Sequence, residues 1–340
     1  GTPAPEVKAS YTRARELCQK MGEPSQLCRV LGELTFHHFV RAELQTAREL
    51  AEQALGAAQR ANDPLLVALG HWYLGVVYFA FGDYRSARNF LGRVTAFYDP
   101  TKHHDSIVSL HGADAGLSAL SYDACCLWCL GYPEQAARKS REALAMAREL
   151  GHPFTLADVL AYAGCMFDAM RRDGAALKND AEKLIRLSTG KVPSWSEVGS
   201  RFRGLALILM GQVEGRMAEL RYGISLPEQQ GVRSFVCGMI GYRAKAPAVT
   251  GQHEERLPTV DDALPVGAPW LSVASACVSA GGVAPATLPQ QSTAPMITPH
   301  TVCFMIILYR RLSGTRSGLS MPTLVFQILG PCAADAFLEE

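Results

Sequence analysis

The chain has 340 residues, and its 33 Lys and Arg against 32 Asp and Glu leave a formal charge of +1. Balanced signs argue against a dedicated nucleic-acid or membrane surface. Ten cysteines without a paired framework point to a reducing, cytoplasmic setting and not to a disulfide scaffold.

Gly1 to Pro5 shows neither an initiator Met nor a basic segment followed by an apolar one, so no secretory signal is expected and the chain reads as a piece of a longer one. Tyr11 to Met21 reads as the second helix of a pair whose first helix is missing, ended by Gly22 with Pro24 beyond. The next pair is expected over Ser25 to about Phe39 and Ala42 to Arg60, and Asn62-Asp63-Pro64 then caps a new helix.

The stretch from His71 to Asp99 organises the rest. Leu74, Gly75 and Tyr78 follow the spacing L-G-x2-Y, Gly82-Asp83-Tyr84 comes next, and Ala87 and Leu91 are spaced A-x3-apolar. That is the tetratricopeptide (TPR) pattern, with His71 where its first Trp would stand. Small residues at Gly75 and Ala87 let two backbones approach, while Gly82 and Asp83 turn the chain and cap the second helix. One such pair cannot bury its apolar faces alone, so copies are required. With Ala87 as marker, they fall at Ala47, Ala136 and Ala176, and more weakly at Arg216, in steps of 40, 49, 40 and 40 residues. This period exceeds the ~34 residues of an ordinary TPR.

The extra residues of the one longer step lie between Asp99 and Ala119. This link carries His103, His104, Asp105, His111 and Asp114, whose spacing fits no zinc signature, and it reads as a loop ordered by its own hydrogen bonds. The next pair covers Ser118 to Leu150 about the turn Gly131-Tyr132-Pro133-Glu134. Its Cys125, Cys126 and Cys129 include a C-x2-C, which reads as small apolar packing in the absence of a second such pair. Thr155 to Met170 with Asp173 to Ser188, and Trp195 to Met210 with Gln212 to about Leu226, complete the series.

Beyond Gly241 the vocabulary changes. Residues 241–340 hold 10 of the 19 prolines but 13 of the 65 charged residues, and runs such as GGVAPATLPQQSTAP are the language of turns and disorder. The apolar run Thr301 to Tyr309 is too short to span a bilayer. The expected architecture is therefore all-α: a TPR-like α-solenoid of five to six helix pairs over residues 1–240, with an irregular C-terminal tail over residues 241–340.

No catalytic motif is legible. The one approach to a phosphate loop, Gly190-Lys191, has Ile185 in place of the first Gly and Val192 in place of the hydroxyl. There is no G-x-S-x-G, no H-E-x2-H and no carboxylate pair in an apolar context that reads as acid and base, and no cofactor or metal is expected. That leaves a binding or scaffold module. By helical register the first helix of each pair lines an inner, concave face, which makes Trp72, Phe79, Trp128, Asp168 and Arg201 the candidates for contact with a protein or peptide partner. For the aromatics the competing assignment is interhelix packing, and for Asp168 it is the hydrophilic edge of its helix.

The run from Phe97 to Ala157, together with Pro5–Glu23 and Arg41–Leu55, resembles the helical repeat region of large bacterial proteins. In those proteins an adenylate/guanylate cyclase-like domain and an AAA-type (STAND) ATPase precede a TPR-like tail. The resemblance covers about residues 5 to 240, and YDP at 98–100, LGYPEQA at 130–136 and ARELGHP at 147–153 are its most specific parts. It implies a sensor or partner-binding module whose nucleotide chemistry lies in upstream domains, with the upstream ATPase domain itself a possible partner. Two alternatives stay open: a fragment of a cyclase or ATPase active only within its parent, and a regulatory superhelix that binds a small-molecule inducer. The departure is the tail, since the family would continue with helix pairs after Gly241; a frame-shifted or non-homologous end is the expectation there.

Overall fold

The computed structural model describes residues 5–189 and 195–212, and among them every regular element is helical. The second helix of the last pair, the marker at Arg216 and the expected tail lie outside the described residues. The helices are α1 (Pro5–Met21), α2 (Pro24–Val40), α3 (Leu44–Ala61), α4 (Pro64–Phe81), α5 (Tyr84–Phe97), α6 (Pro100–His111), α7 (Ala115–Cys129) and α8 (Pro133–Leu150). A long helix follows, α9 (Pro153–Val159) running through the π-helical segment π1 (Leu160–Met166) into α10 (Phe167–Met170), and then α11 (Gly174–Ser188) and α12 (Ser196–Leu209).

Their ends are written in the sequence. Prolines open α2, α4, α6, α8 and α9, where a missing N–H is no loss. The carboxylates of Asp63, Asp83, Asp99, Asp114 and Asp173 accept backbone N–H groups in the first turns of α4, α5, α6, α7 and α11.

The repeat is visible in the backbone itself. At the turn inside each pair one residue is left-handed: Ala42, Gly82, Gly131, Arg172 and Gly211. Its N–H donates to the carbonyl three residues back, and the next N–H donates to the carbonyl five residues back, as in Gly82 to Phe79 and Asp83 to Tyr78. The same two bonds recur at Ala42, Gly131, Arg172 and Gly211. This is one Schellman closure used five times, at intervals of 40, 49, 41 and 39 residues. Five residues after it stand Ala47, Ala87, Ala136 and Leu177, all 0% exposed. Leu177, and not the half-buried Ala176, is thus the fourth marker, and the expected step of 40 is corrected to 41. The reason lies in the preceding helix. From its cap at His152 to the turn at Arg172 it is one residue longer than the stretch from Asp63 to Gly82, and the π winding takes up that residue.

Packing follows a simple rule. The two helices of a pair pack together (α2 on α3, α4 on α5, α7 on α8, π1 on α11), second helices pack on the next first helix (α3 on α4, α5 on α7), and first helices pack on one another (α2, α4, α7, π1, α12). The described residues therefore form a TPR-like α-solenoid in which the first helices make one continuous layer. α4 is long and apolar enough to cross a membrane, and 72% of that stretch is buried, against its neighbours α2, α3, α5 and α7.

The link between Asp99 and Ala119 is not a loop. It forms α6, which starts on the Asp99 cap and Pro100 and ends at left-handed Gly112. Its histidines are tied individually: His103 accepts from the Asp99 N–H at 3.0 Å and stacks on Phe97, while His104 and His111 bond to Asp114 and Tyr73. No group of three His, Cys, Asp or Glu side chains that could hold a metal is present among the described residues.

Close contact at Gly116 joins α6 and α7 to the end of α5. A Cβ there would lie 2.2 Å from the Tyr98 ring, which is anchored by its own hydroxyl and cannot swing away freely. Alanine gains up to ~1 kcal/mol of helix propensity over glycine, but forced displacement of a packed ring costs ~1–3 kcal/mol or more. We expect Gly116→Ala to lower the unfolding free energy by a net of about 1–2 kcal/mol, read as a lower urea midpoint, while leaving the far-UV dichroism of the folded protein unchanged.

Candidate functional site

The layer of first helices is where α6 makes its difference. His111 at the end of α6 sits edge-on against Trp72 (ring centroids 4.6 Å apart), and its Nδ1 lies 3.2 Å from the Tyr73 hydroxyl. Burial holds the imidazole down to about 4, so it is neutral at physiological pH and can accept the phenol proton. Tyr73 in turn rests in the notch left by Gly32, where a Cβ would lie 2.4 Å from the phenol oxygen. The irregular step in the repeat has thus placed an additional helix beside α4.

A cavity of about 300 Å³ opens where α1, α2, α4 and α6 meet. Its apolar wall comes from Leu66, Leu69 and Leu110, and its polar wall from Tyr11, Glu33 and Tyr73, with Arg29 at the margin. The Tyr11 hydroxyl donates to Glu33 Oε2 at 3.4 Å. Burial raises the Glu33 carboxyl above its ordinary value, and the Tyr11 hydrogen bond and the Arg29 charge only partly offset that. The thiol of Cys28 in the same lining is pushed up to about 11, first by burial and then by the charge of Asp63, which keeps it in the thiol form at neutral pH.

Further along the layer, polar groups are bound to one another. Arg88 Nε of α5 reaches Asp123 Oδ1 of α7 at 2.7 Å. Arg171 bonds both Asp168 and Asp173, at 2.9 and 3.0 Å, with its guanidinium carbon 5.4 Å from the centre of the Phe167 ring. Asp158 is buried beside Ser118, and burial pushes its carboxyl up to about 7, with the charge of Asp114 adding to the effect. Asp168 is pushed up to about 6, again by burial, against the opposing pull of Arg171. Both are carboxyls in an apolar context; Asp168 is among the residues the sequence singles out, and Asp158 is not. The signal was available at Asp158, the one acidic residue in the apolar run from Pro153 to Phe167. Neither faces an activated nucleophile, since burial also raises the thiols of Cys125, Cys126 and Cys165 well above the usual range.

The five residues singled out from sequence occupy different settings. Trp72 and Phe79 are buried, at 5% and 2% exposure, in ring contacts with His111 and Tyr73 and with Tyr84 and Tyr122. Trp128 is half-buried with its edge toward Phe167 at 5.8 Å. Asp168 is buried in its pair with Arg171, and Arg201 is half-buried beside Glu197 and Tyr162. Counted from the turns, Trp72 and Arg201 are equivalent residues of their repeats and so are Phe79 and Trp128, whereas Asp168 stands where Tyr78 and Leu127 stand, one residue off. Among the described residues no hydrogen bond or ion pair joins Trp72, Trp128, Asp168 and Arg201 to one another. Tyr11, Glu33 and Leu110, which build the cavity, were missed because three separate helices bring them together.

No protein-family model and no curated protein matches the chain. Similar solved structures include a kinesin light chain from Podosopora anserina with nearly identical TPR-like repeats, 16% identical over 72% of this chain and 95% of that one, with a TM-score of 0.32. BtubC (BKLC) from P. vanneervenii is 17% identical over 85% of this chain and 96% of its own, with a TM-score of 0.34.

Proposed function

We propose that the chain is a non-catalytic interaction module that binds a protein or peptide partner along the layer of first helices. The observation that carries this is the continuity of that layer, from α2 through α4, α7 and π1 to α12, with a cavity beside α2 and α4 that has both apolar and charged lining. Trp128 and Arg201 are the sequence candidates with surface to offer, while Trp72, Phe79 and Asp168 support the face from beneath. A peptide selected from a random display library on the full chain is expected to lose affinity about tenfold or more with Trp128→Ala, helicity remaining as it was. Lost helicity would assign Trp128 to the core, and a selection that returns no binder would end the reading.

The wider role we infer is that of a sensor region in a signalling ATPase or cyclase-type protein of the cytoplasm. Its support is the YDP, LGYPEQA and ARELGHP runs, together with ten cysteines whose spacing makes no paired framework. A reading frame upstream of Gly1 without a nucleotide-binding domain would remove it. The volume of the cavity, at the low end for small-molecule sites, favours an inducer-binding superhelix as the second reading. Ligand-dependent thermal shifts in a metabolite screen, combined with an empty peptide selection, would promote that reading over the first.

A further inference from the structure

In the cavity between α1, α2, α4 and α6 the carboxylate of Glu33 is partly removed from water, and the one cation in the same lining, Arg29, offsets only part of that burial. Glu33 is half-buried, and its bonded partner is a neutral phenol, Tyr11, at 3.4 Å. Arg29 lies one turn earlier on the same helix, yet none of the ion pairs among the described residues joins the two. The same lining holds Leu66, Leu69, Leu110 and Tyr73, with Arg29 beside Glu33 on their common helix.

Resting on the peptide-binding reading above, we propose that this cavity receives a lysine or arginine side chain of the bound peptide, its methylenes against the three leucines and its charged end at Glu33. Long basic side chains are built this way, with an apolar stem and a cationic tip. An apolar side chain in the same place would complete the desolvation of Glu33 and leave it unpaired, which is strongly unfavourable. An acidic side chain would meet a like charge. Only a cation turns the partial burial of Glu33 from a penalty into a recognition element, and the aromatic surface of Tyr11 and Tyr73 adds favourable ground for it.

The test uses the full 340-residue chain and a random-peptide phage library. Selected peptides are expected to share one Lys or Arg position, and exchange of that residue for norleucine should weaken binding about tenfold or more. Glu33→Gln should show the same loss, with no further loss when the two changes are combined. Glu33→Lys should abolish the basic preference in a fresh selection. Independently of any variant, carbodiimide treatment of the complex with a lysine peptide should form an amide between its Nζ and the Glu33 carboxyl, read by mass spectrometry. Binders without a basic preference, or a preference that survives both variants with no cross-link at Glu33, overturn the assignment and leave peptide binding standing. An absence of any binder removes both.

Discussion

Asp114→Ala is expected to lower the unfolding free energy by about 3–5 kcal/mol, the largest loss of any single substitution on the surface between α6 and α7. The side chain of Asp114 is fully buried and all of its acceptor capacity is engaged. Oδ1 accepts the N–H groups of Gly116 and Leu117 at 2.9 and 3.1 Å, and Oδ2 accepts the Tyr98 hydroxyl and His104 Nδ1–H, both at 2.5 Å. Because a carboxylate oxygen only accepts, His104 must carry its proton on Nδ1. Alanine strips the cap, typically ~1 kcal/mol, and orphans two further donors in a buried place, at ~1–3 kcal/mol each, with the total held below the sum by local relaxation. The loss should be local before it is global. Amide exchange should accelerate first through α6 and the first turn of α7, since Tyr98, His104 and the start of α7 are held to each other through this one group. Asp99→Ala is the control, because Asp99 caps α6 from a half-buried site, against the fully buried Asp114, and should matter far less. Equal losses from the two variants would mean that Asp114 is an ordinary cap and that α6 is held elsewhere.

Comparison of Asp99 and Asp114 also shows where sequence reading reached and where it stopped. Both are legible as polar residues between helices, and the repeat is legible from the small residues Ala47, Ala87 and Ala136 with the turns at Gly82 and Gly131, because a left-handed turn and a close helix contact each demand a particular residue type. What could not be read was anything decided across helices. α6 reads as a loop in the sequence because its twelve residues carry few apolar side chains, and only Ile107 among them falls in the core by its exposure. Its helicity depends on the Asp99-Pro100 start, the Gly112 stop and the docking of His104 and His111. The π segment has no local signature, so the one-residue slip from Ala176 to Leu177 was invisible. Trp72 was placed on the binding face by a register that took no account of α6, which lies against it. The cavity was hidden for the same reason, its walls being supplied from separate helices.

Asp158→Asn should stabilise the protein at pH 8 by about 2–4 kcal/mol and have little effect near pH 4. Burial pushes the native carboxyl up to about 7, and the nearby charge of Asp114 adds to that, while in the unfolded chain the group titrates near ~3.9. Between those values the native state holds a proton that the unfolded state has released, so stability falls as pH rises through this window and the whole penalty is present above it. Asparagine has nearly the same shape, keeps a polar group opposite Ser118 and carries no charge, so it removes the penalty where the wild type bears it. At pH 4 the wild-type acid is itself neutral and the two proteins should melt together. Asp168, pushed up to about 6, does not offer the same gain, because its removal would strand Arg171, which it shares with Asp173. The urea midpoints of wild type and Asp158→Asn, measured from pH 4 to pH 8, should therefore diverge with rising pH. A constant offset would show that the carboxyl is solvated and ionised throughout.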